Sequence, residues 1–261
     1  MATDITALRR GLQSGLPGGL GRGLRHGLRV LFPPQCLSCG GAVSDEFGLC
    51  AACWRETGFI RGLVCDTCGA PLPGEDEGRA EHCDDCLTIA RPWDRGRAAL
   101  VYRDTGRRLV LALKHGDRQD LARPMAGWLA AAAAPILAPD MLVTPIPLHW
   151  RRFLKRRFNQ SALLSGQLAR LAGLDHCPDL LQRIRATPSQ EGRGREQRFE
   201  NMAEAIRVNP PRGAAIAGRS VLIVDDVMTS GATFAAAAEA LRAAGAASVS
   251  VLALARVAKD G

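Results

Sequence analysis

The feature that most limits how this chain can fold is a set of four Cys-x-x-Cys pairs. The pairs are Cys36/Cys39, Cys50/Cys53, Cys65/Cys68 and Cys83/Cys86. The segment around them has few apolar runs and cannot bury a core of its own, so another interaction must hold it together. Two thiolate pairs from two tight turns form the tetrahedral four-sulfur environment that zinc prefers, and metal binding then supplies folding free energy. The spacing therefore predicts a small double zinc ribbon at residues 36–90.

The cysteine pairs occur in an internal duplication. Cys-Leu-Ser-Cys-Gly followed by Leu-Cys-Ala-Ala-Cys-Trp resembles Cys-Asp-Thr-Cys-Gly followed by His-Cys-Asp-Asp-Cys-Leu, so each copy is predicted to hold one structural zinc ion. Gly40 and Gly69 follow the leading pairs and are expected to take the positive φ that turns backbone amides toward sulfur. An iron–sulfur cluster, a redox dithiol and interleaved pairing of the four turns stay open as alternatives. Contact of the ribbons with nucleic acid or protein is a separate hypothesis.

Residues 1–35 form a basic, low-complexity segment. It contains one acidic residue, Asp4, against five arginines, and Gly-Leu recurs at every fourth position from Gly11 to Leu28. The leucine stripe favours a helix, but a glycine beside each leucine costs about 1 kcal/mol relative to alanine. Two interpretations stay open: a basic amphipathic arm for a membrane surface or a partner, and a mobile tail.

The charge balance and the apolar runs limit the partners and the location. With 34 basic and 26 acidic residues the chain has a net charge of +8, which favours anionic partners such as nucleic acid, phosphates or an acidic membrane surface. The longest uncharged run, 124–139, is shorter than the ~20 residues that span a bilayer, so no integral membrane segment is expected. The N-terminal residues do not resemble a secretory signal. We therefore expect a cytoplasmic protein whose nine cysteines do not form disulfides.

Between residues 91 and 261, apolar strands alternate with helical stretches, which is the pattern of an α/β domain with a largely parallel sheet. The predicted strands are Ala98–Tyr102, Met141–Ile146, Ser220–Val224 and Ser248–Ala255. The predicted helices are Gly106–His115, Asp120–Leu137, Asn159–Ala172 and Ala232–Ala244. The stretch 178–219 shows no period, is rich in Arg, Gln and Gly, and is expected to be functional or mobile.

The segment 221–233 carries the strongest chemical signal outside the cysteines. Four apolar residues predict a buried strand, and Asp225 and Asp226 follow at its C-terminal end, where open α/β sheets bind ligands. Thr229-Ser230-Gly231-Ala232-Thr233 then opens a helix: small residues let backbone amides approach a phosphate, hydroxyls add donors, and the helix N-terminus adds positive charge. The patterns of a Walker loop and of a Gly-x-Gly-x-x-Gly loop are missing. The acids suit ribose hydroxyls, bound directly or through Mg²⁺.

This segment resembles the ribose-5-phosphate signature of type I phosphoribosyltransferases. The resemblance extends over about residues 30 to 256 through Leu113-Lys114, Pro145-Ile146-Pro147, Arg157-Phe158-Asn159-Gln160, Arg185-Ala186-Thr187 with Gln190, and Arg198 with Asn201. With the cysteine pairs in front, the chain resembles the ComF family of bacterial competence-associated proteins, often labelled amidophosphoribosyltransferase-like. The resemblance implies a type I phosphoribosyltransferase-like α/β domain at 91–261, with a parallel sheet flanked by helices, after a double zinc ribbon with four cysteines at each site.

The resemblance also implies roles for the matching residues. Asp225 and Asp226 would hold the ribose hydroxyls of phosphoribosyl pyrophosphate (PRPP) with Mg²⁺, and Thr229–Thr233 its 5-phosphate. Residues 147–159 would form the pyrophosphate-side loop, and residues 185–198 a flap over the site. The other ligand-binding candidates are Lys114, Pro147, Arg157, Asn159, Arg185 and Arg198.

One of these candidates departs from the family pattern. Many family members have glycine where this chain has Arg157, which brings a charge but also a Cβ that hinders close backbone approach to pyrophosphate. The basic run around it, Arg151 to Arg157, is also consistent with a solvated helix face.

Two functions follow as hypotheses. In the first, the protein is a phosphoribosyltransferase in which a nucleophile attacks C1 of PRPP as pyrophosphate leaves, and positioning and charge stabilisation carry catalysis. In the second, it is a non-enzymatic factor that handles single-stranded DNA in DNA uptake through its ribbons and basic surface, with DNA-uptake proteins as further partners. Aromatic residues make up only 5% of the chain, which weakens a base-stacking groove, for which Trp54 and Trp93 are the candidates. Glutaminase activity is not expected, because no cysteine is left with a catalytic partner.

Overall fold

The computed structural model describes residues 33–115, 118–150, 154, 157–185, 195–202 and 204–258. Apart from residues 33–35, the predicted N-terminal arm lies outside the described residues. The chain divides into two compact units, residues 1–54 and 55–261. The first cysteine copy thus belongs to the smaller unit, and the second copy belongs to the unit that contains the α/β domain. The predicted domain boundaries after residues 35 and 90 stay predictions.

Helices and strands alternate along the larger unit. The helices among the described residues are α1 (Ala51–Glu56), α2 (Asp84–Thr88), α3 (Asp104–His115), α4 (Ala122–Ala133), α5 (Gln160–Ala172), α6 (Arg195–Met202) and α7 (Ala232–Ala243). The strands are β1 (Arg95–Val101), β2 (Leu142–Pro145), β3 (Asp175–His176), β4 (Leu181–Arg183), β5 (Ile206–Val208), β6 (Ser220–Met228) and β7 (Ser248–Arg256). Short 3₁₀ turns occupy Gln119–Leu121 and Pro210–Ala215. No helix in this part of the chain is long and apolar enough to cross a membrane.

A five-stranded sheet forms the centre of the larger unit, in the order β1-β7-β6-β2-β3 with every neighbouring pair parallel. β7 is buried at every position from Val249 onward, which requires cover on both faces of the sheet. α4 packs against α5 and β1, and α7 packs against β6 and β7. The predicted α/β class is therefore confirmed, and the C-terminal ends of β1, β7, β6 and β2 lie at one edge.

The predicted end of β6 is wrong by four residues. The strand continues to Met228 and therefore contains Asp225 and Asp226, instead of ending before them. The pairing explains the difference: β2 accompanies β6 only as far as Val224, whereas β7 stays paired with it as far as Met228. The two carboxylates thus lie inside the strand but beyond the end of its neighbour β2.

The stretch 178–219, which shows no period in the sequence, contains regular structure. β4 and β5 pair with each other antiparallel, and α6 lies between them in the chain. Strands of three residues are too short to show an alternation of apolar and polar positions, so tertiary contacts decide them. The predicted helix 120–137 is also shorter than expected, because a 3₁₀ turn precedes α4 and α4 ends at Ala133.

The second cysteine copy packs directly on β1. Asp66, next to the first cysteine of this copy, accepts hydrogen bonds from Arg95 Nη2 at 2.9 Å and from Arg97 Nη2 at 2.7 Å. Trp93 Nε1 donates to the carbonyl of Thr67 at 2.7 Å. Two side chains from one face of β1, and Trp93 just before the strand, therefore hold the turn that carries the cysteines.

Glycines allow the backbones of this copy and of β1 to touch. Gly69 has φ +68°, and a Cβ there would lie 2.5 Å from the backbone nitrogen of Ala98. A Cβ on Gly96 would lie 2.2 Å from the carbonyl oxygen of Thr67. Gly40, at the equivalent place in the first copy, has φ +75° but has no heavy atom within 4 Å of its Cβ position. The positive φ predicted for both leading turns is confirmed, and the second turn is closely packed as well.

We expect Gly69→Ala to lower the free energy of unfolding of the larger unit by about 3 kcal/mol, since left-handed alanine costs about 1–2 kcal/mol and the backbone collision adds to it. Thermal unfolding followed by far-UV circular dichroism measures the change. Gly40→Ala is the matched control, because it has the same backbone strain without a neighbour, and it should leave the main transition in place. Equal effects of the two variants on that transition would contradict the packing.

Candidate functional site

Two neighbouring carboxylates of β6 form the centre of the candidate site. Asp226 is buried and pairs with Lys114 at the end of α3, whose Nζ lies 3.3 Å from Asp226 Oδ2. Gln160 at the start of α5 donates from Nε2 to the same oxygen at 2.9 Å. Ser161 Oγ donates to Asp225 Oδ1 at 2.8 Å. The ends of two helices thus meet the carboxylates at the ligand-binding edge that a parallel sheet offers.

The two carboxylates differ in how their charge is compensated. Burial, and then the negative charge of Asp226, raise the pKa of Asp225 to about 7, although the hydrogen bond from Ser161 and the charge of Lys114 act in the opposite direction. Asp226 has a direct cation partner in Lys114. A second cation bound beside Asp225 would favour its ionised form, so the pair is suited to a positively charged or hydroxyl-bearing ligand.

The loop after β6 surrounds a small cavity. Residues 227–234 line this space, which is open to solvent, and Gly231 with φ +84° precedes the first turn of α7. A Cβ on Gly231 would lie 3.0 Å from the ring of Trp93 and 3.2 Å from the guanidinium of Arg91. The first amides of a helix have no partner within it and favour an anion. The glycine with positive φ and the start of a helix are thus where the sequence places them, and the role of this loop toward a phosphate stays a prediction.

Two arginines bind the carbonyl groups of this loop. Arg91 Nη1 donates to the carbonyl of Ser230 at 2.8 Å, and Arg256 Nη1 donates to the carbonyl of Thr229 at 2.6 Å. In a trans peptide the N–H points away from the C=O, so these contacts direct the amides of Ser230 and Gly231 to the side opposite the guanidinium groups. The loop amides are thus oriented before any ligand binds.

Only part of the predicted pyrophosphate-side loop at 147–159 lies within the described residues. Pro147 is buried just after β2. Asn159 caps α5: its side chain accepts from the amide of Ser161 and donates to the carbonyl of Ile146, both at 3.0 Å. The polar groups of Asn159 are therefore bound to backbone, and its role toward a ligand stays a prediction.

Arg157, which the sequence analysis placed where many family members have glycine, adopts a backbone conformation that favours glycine. Its φ is +65°, in the left-handed region, and its side chain is exposed. The chain thus keeps the loop geometry at a cost in backbone strain, and the exposed guanidinium is available to an anion.

The predicted flap at 185–198 is described at Arg185 and from residue 195 onward. Arg185 is exposed and donates to the carbonyl of Asn201 at 3.1 Å. Arg198 is half-buried, and within the described residues its Nε has no hydrogen-bond partner. Phe199 of α6 lies 5.8 Å from the guanidinium of Arg91. Since Arg91 also binds the carbonyl of Ser230, it contacts both α6 and the loop 229–233. The ligand roles of both flap arginines stay predictions.

The paired cysteines form two separate groups. The first contains Cys36, Cys39, Cys50 and Cys53, and the second Cys65, Cys68, Cys83 and Cys86, with the sulfur atoms of each group within 4.8 Å of one another. Sequential pairing is therefore confirmed, and interleaved pairing is wrong. Four thiols so close together fit one tetrahedral zinc ion per group.

Sequence reasoning missed four residues of this site: Gln160 and Ser161 beside the acids, and Arg91 and Arg256 beside the loop. Arg256 had a signal, because it is a charged residue at the end of an otherwise apolar strand. Gln160 and Ser161 also had one, since they are polar residues at the start of a largely apolar helix. Arg91 had none, because it contacts a residue 139 positions away.

Known proteins share this arrangement. The double zinc ribbon domain family matches residues 27–87, and the phosphoribosyl transferase domain family matches residues 160–260. The DNA utilization protein YhgH of Escherichia coli (strain K12) is 33% identical over 81% of this chain and 91% of its own length. Competence protein F of Haemophilus influenzae is 27% identical over 85% of this chain and 96% of its own. Among solved structures, the glutamine PRPP amidotransferase from B. subtilis superposes with a TM-score of 0.37 at 19% identity, over 55% of this chain and 30% of that chain.

The fold and the two domain matches define a double zinc ribbon protein with a phosphoribosyltransferase domain. Within that class, the chain belongs to the family of the DNA utilization protein YhgH and competence protein F, the ComF family. The resemblance carried by the sequence motifs is therefore confirmed.

Asp225→Asn should stabilise the ligand-free protein at pH 8. Asparagine keeps an Oδ1 acceptor for Ser161 and removes a buried charge, so the free energy of unfolding should rise by about 1 kcal/mol, or roughly 2–4 °C in Tm. The folded pKa lies near 7, above the unfolded value of about 4, so the wild type loses stability as pH rises between these values. The gain should therefore shrink when thermal unfolding is measured at pH 5. Asp226→Asn removes the partner of Lys114 and should destabilise; a gain from both variants would refute the difference between the two acids.

Arg157→Gly should raise the free energy of unfolding by about 0.5–1 kcal/mol, because the left-handed backbone costs a residue with a Cβ about 1–2 kcal/mol and the flexibility of unfolded glycine offsets part of this. Urea unfolding measures the change. Arg157→Ala removes the charge but keeps the Cβ, and it should leave stability near that of the wild type. The same gain from alanine would assign the effect to charge and not to the backbone.

Proposed function

We propose that the chain binds PRPP, together with Mg²⁺, between the acid pair Asp225/Asp226 and the loop 229–233. The observation that carries the proposal is the presence of an ion-paired carboxylate, a lysine and a loop with pre-oriented amides at one edge of the sheet. These groups match, in turn, the ribose hydroxyls, the pyrophosphate and the 5-phosphate of this ligand. The phosphoribosyl transferase domain match over residues 160–260 supports the same class of ligand.

In this proposal the acid pair binds the ribose. Gln160 and Ser161 each donate to one carboxylate oxygen, which leaves other lone pairs of Asp225 and Asp226 for the ribose hydroxyls. The same carboxylate oxygens suit Mg²⁺, which when bound would offset charge on the pyrophosphate. Lys114 holds a fixed positive charge on that side of the acids.

Turnover would require only positioning and charge from this chain. A nucleophile would attack C1 of the ribose while the bond to pyrophosphate breaks and its electron pair leaves with the pyrophosphate. The loop 229–233 would hold the 5-phosphate end, and the acid pair the opposite side of the ribose, so C1 is fixed between them. The cations Lys114 and Arg157 would stabilise the leaving group, and no general base of the chain is needed for that step.

Calorimetric titration with PRPP, with and without Mg²⁺, tests the proposal. The wild type should bind in the presence of Mg²⁺, and Lys114→Met should bind about tenfold or more weakly because a charge-assisted contact is lost. Arg212→Met is the matched control: it also removes one positive charge, from an exposed pair with Asp179, and should bind as the wild type does. Absence of Mg²⁺-dependent binding by the wild type, folded and loaded with zinc, would refute the proposed function.

Handling of single-stranded DNA is a second candidate function. It is favoured by the names of the relatives, a DNA utilization protein and a competence protein, and by the net charge of +8. Of the two candidates for base stacking, Trp93 is only 3% exposed and packs against Phe234 with a centroid distance of 6.3 Å. Trp54 is 42% exposed, so its exposure is consistent with base stacking.

The salt dependence of binding to a labelled oligothymidylate tests this second function. The logarithm of the association constant should fall with the logarithm of the salt concentration, with a slope of roughly −0.7 for each phosphate contacted. Trp54→Phe should bind nearly as well as the wild type, whereas Trp54→Ala should bind more weakly, since only the first keeps an aromatic face. A slope near zero for the wild type would remove this function.

A further inference from the structure

Arg256 is a buried charged residue at the end of the central strand β7. It is only 4% exposed, and its Nη1 donates to the carbonyls of Met228 at 3.3 Å, Thr229 at 2.6 Å and Val257 at 2.6 Å. Its Nη2 lies 3.8 Å from the Sγ of Cys68. One guanidinium therefore connects the start of the phosphate-binding loop with the second group of cysteines.

A buried guanidinium needs a compensating negative charge. Among the described residues, Arg256 has hydrogen bonds to backbone carbonyls and to the sulfur of Cys68, and its Nε has no acceptor. The second cysteine group fits a zinc ion because its four sulfurs lie within 4.8 Å of one another. Four thiolates around one doubly charged ion leave a net negative charge. A metal-loaded cysteine group would therefore supply the negative charge that balances Arg256.

We propose that Arg256 is a positioning residue of the phosphate-binding loop, and that through it the second cysteine group holds this loop in its anion-binding conformation. The part of the proposal that concerns PRPP affinity rests on the proposed function, whereas the part that concerns loop order stands without it. Arginine suits the task because its planar fork can contact sulfur with one nitrogen and the Thr229 carbonyl with another. That carbonyl shares a peptide with the amide of Ser230, so its direction sets the direction of the N–H.

The coupling makes loop order depend on the metal content of the second cysteine group. Without metal the four sulfur atoms are no longer tied to one another, so the sulfur of Cys68 no longer gives Arg256 a fixed contact. A second connection, from the Thr67 carbonyl through Trp93 to Gly231, runs beside it, so the experiment must separate the two routes. The first cysteine group belongs to the smaller compact unit and supplies a matched control.

Hydrogen exchange of the peptide covering residues 228–233, measured by mass spectrometry on the ligand-free full chain, tests loop order. Arg256→Met should speed exchange of this peptide by about tenfold or more, because a charge-assisted contact is lost. Arg256→Lys should give a smaller increase, since lysine keeps the charge but not the fork. Peptides of β2 and α5 report whether the core stays folded. Wild-type exchange in the loop of a folded Arg256→Met variant would overturn the proposal.

The link to the cysteine group is tested with Cys83→Ser, which removes a ligand that Arg256 does not contact, and with Cys50→Ser at the equivalent place in the first group. Cys83→Ser should speed loop exchange, whereas Cys50→Ser should leave it unchanged. In the double variant Cys83→Ser/Arg256→Met, exchange should be no faster than in Arg256→Met alone. A further increase would show that the cysteine group acts on the loop by another route, such as that through Trp93, and would overturn the coupling through Arg256. If Cys83→Ser does not fold, stepwise zinc removal by a chelator from wild type and Arg256→Met gives the same comparison.

Calorimetry with PRPP separates this proposal from the proposed function. If the wild type binds and the folded Arg256→Met variant binds about tenfold or more weakly, both are supported. If the two bind equally, the positioning role fails and the proposed function stands. If the wild type does not bind, the proposed function fails, and the exchange measurements alone decide whether Arg256 orders the loop.

Discussion

The backbone contact between the second ribbon copy and β1 is the constraint on which the rest of the larger unit depends. A half-buried carboxylate, Asp66, holds two arginines of β1, but the cost of removing these charges from water offsets much of their attraction. The close contact at Gly69 and Gly96 is therefore what fixes the geometry, because it leaves no room for another arrangement. Trp93 extends this contact to Gly231, so one side chain connects the second ribbon copy with the loop 229–233.

The site keeps ionisable groups where burial disfavours their charge. Asp225 has a raised pKa because burial and the neighbouring charge of Asp226 disfavour its ionised form, and Arg256 is buried with sulfur and carbonyl groups as its partners. Both arrangements cost stability in the empty protein, and both are relieved when a group of opposite charge binds beside them. Unbalanced charge is thus concentrated at the ends of β6 and β7, while the interior of the sheet is apolar.

The local sequence pattern was sufficient to predict the zinc groups, the main strands and the position of the acid pair, because each depends on consecutive residues or on a fixed spacing. The prediction was wrong where contacts between residues far apart in the sequence determine the structure. The continuation of β6 through Asp225 depends on its neighbour β7, and the burial of Trp93 depends on a ribbon turn 26 residues before it in the chain. The φ of Arg157 could not be read from its own identity, since arginine avoids the left-handed region. Only the surrounding loop requires it.

The internal duplication has a consequence for how the two ribbon copies can evolve. They share their cysteine spacing, yet Gly40 has open space around it whereas Gly69 is enclosed by the backbone of β1. A substitution at Gly40 meets backbone strain but no neighbouring atom. The second copy must preserve its fit to the sheet at the same time. We therefore expect the sequence of the first copy to vary more among related proteins than the sequence of the second copy.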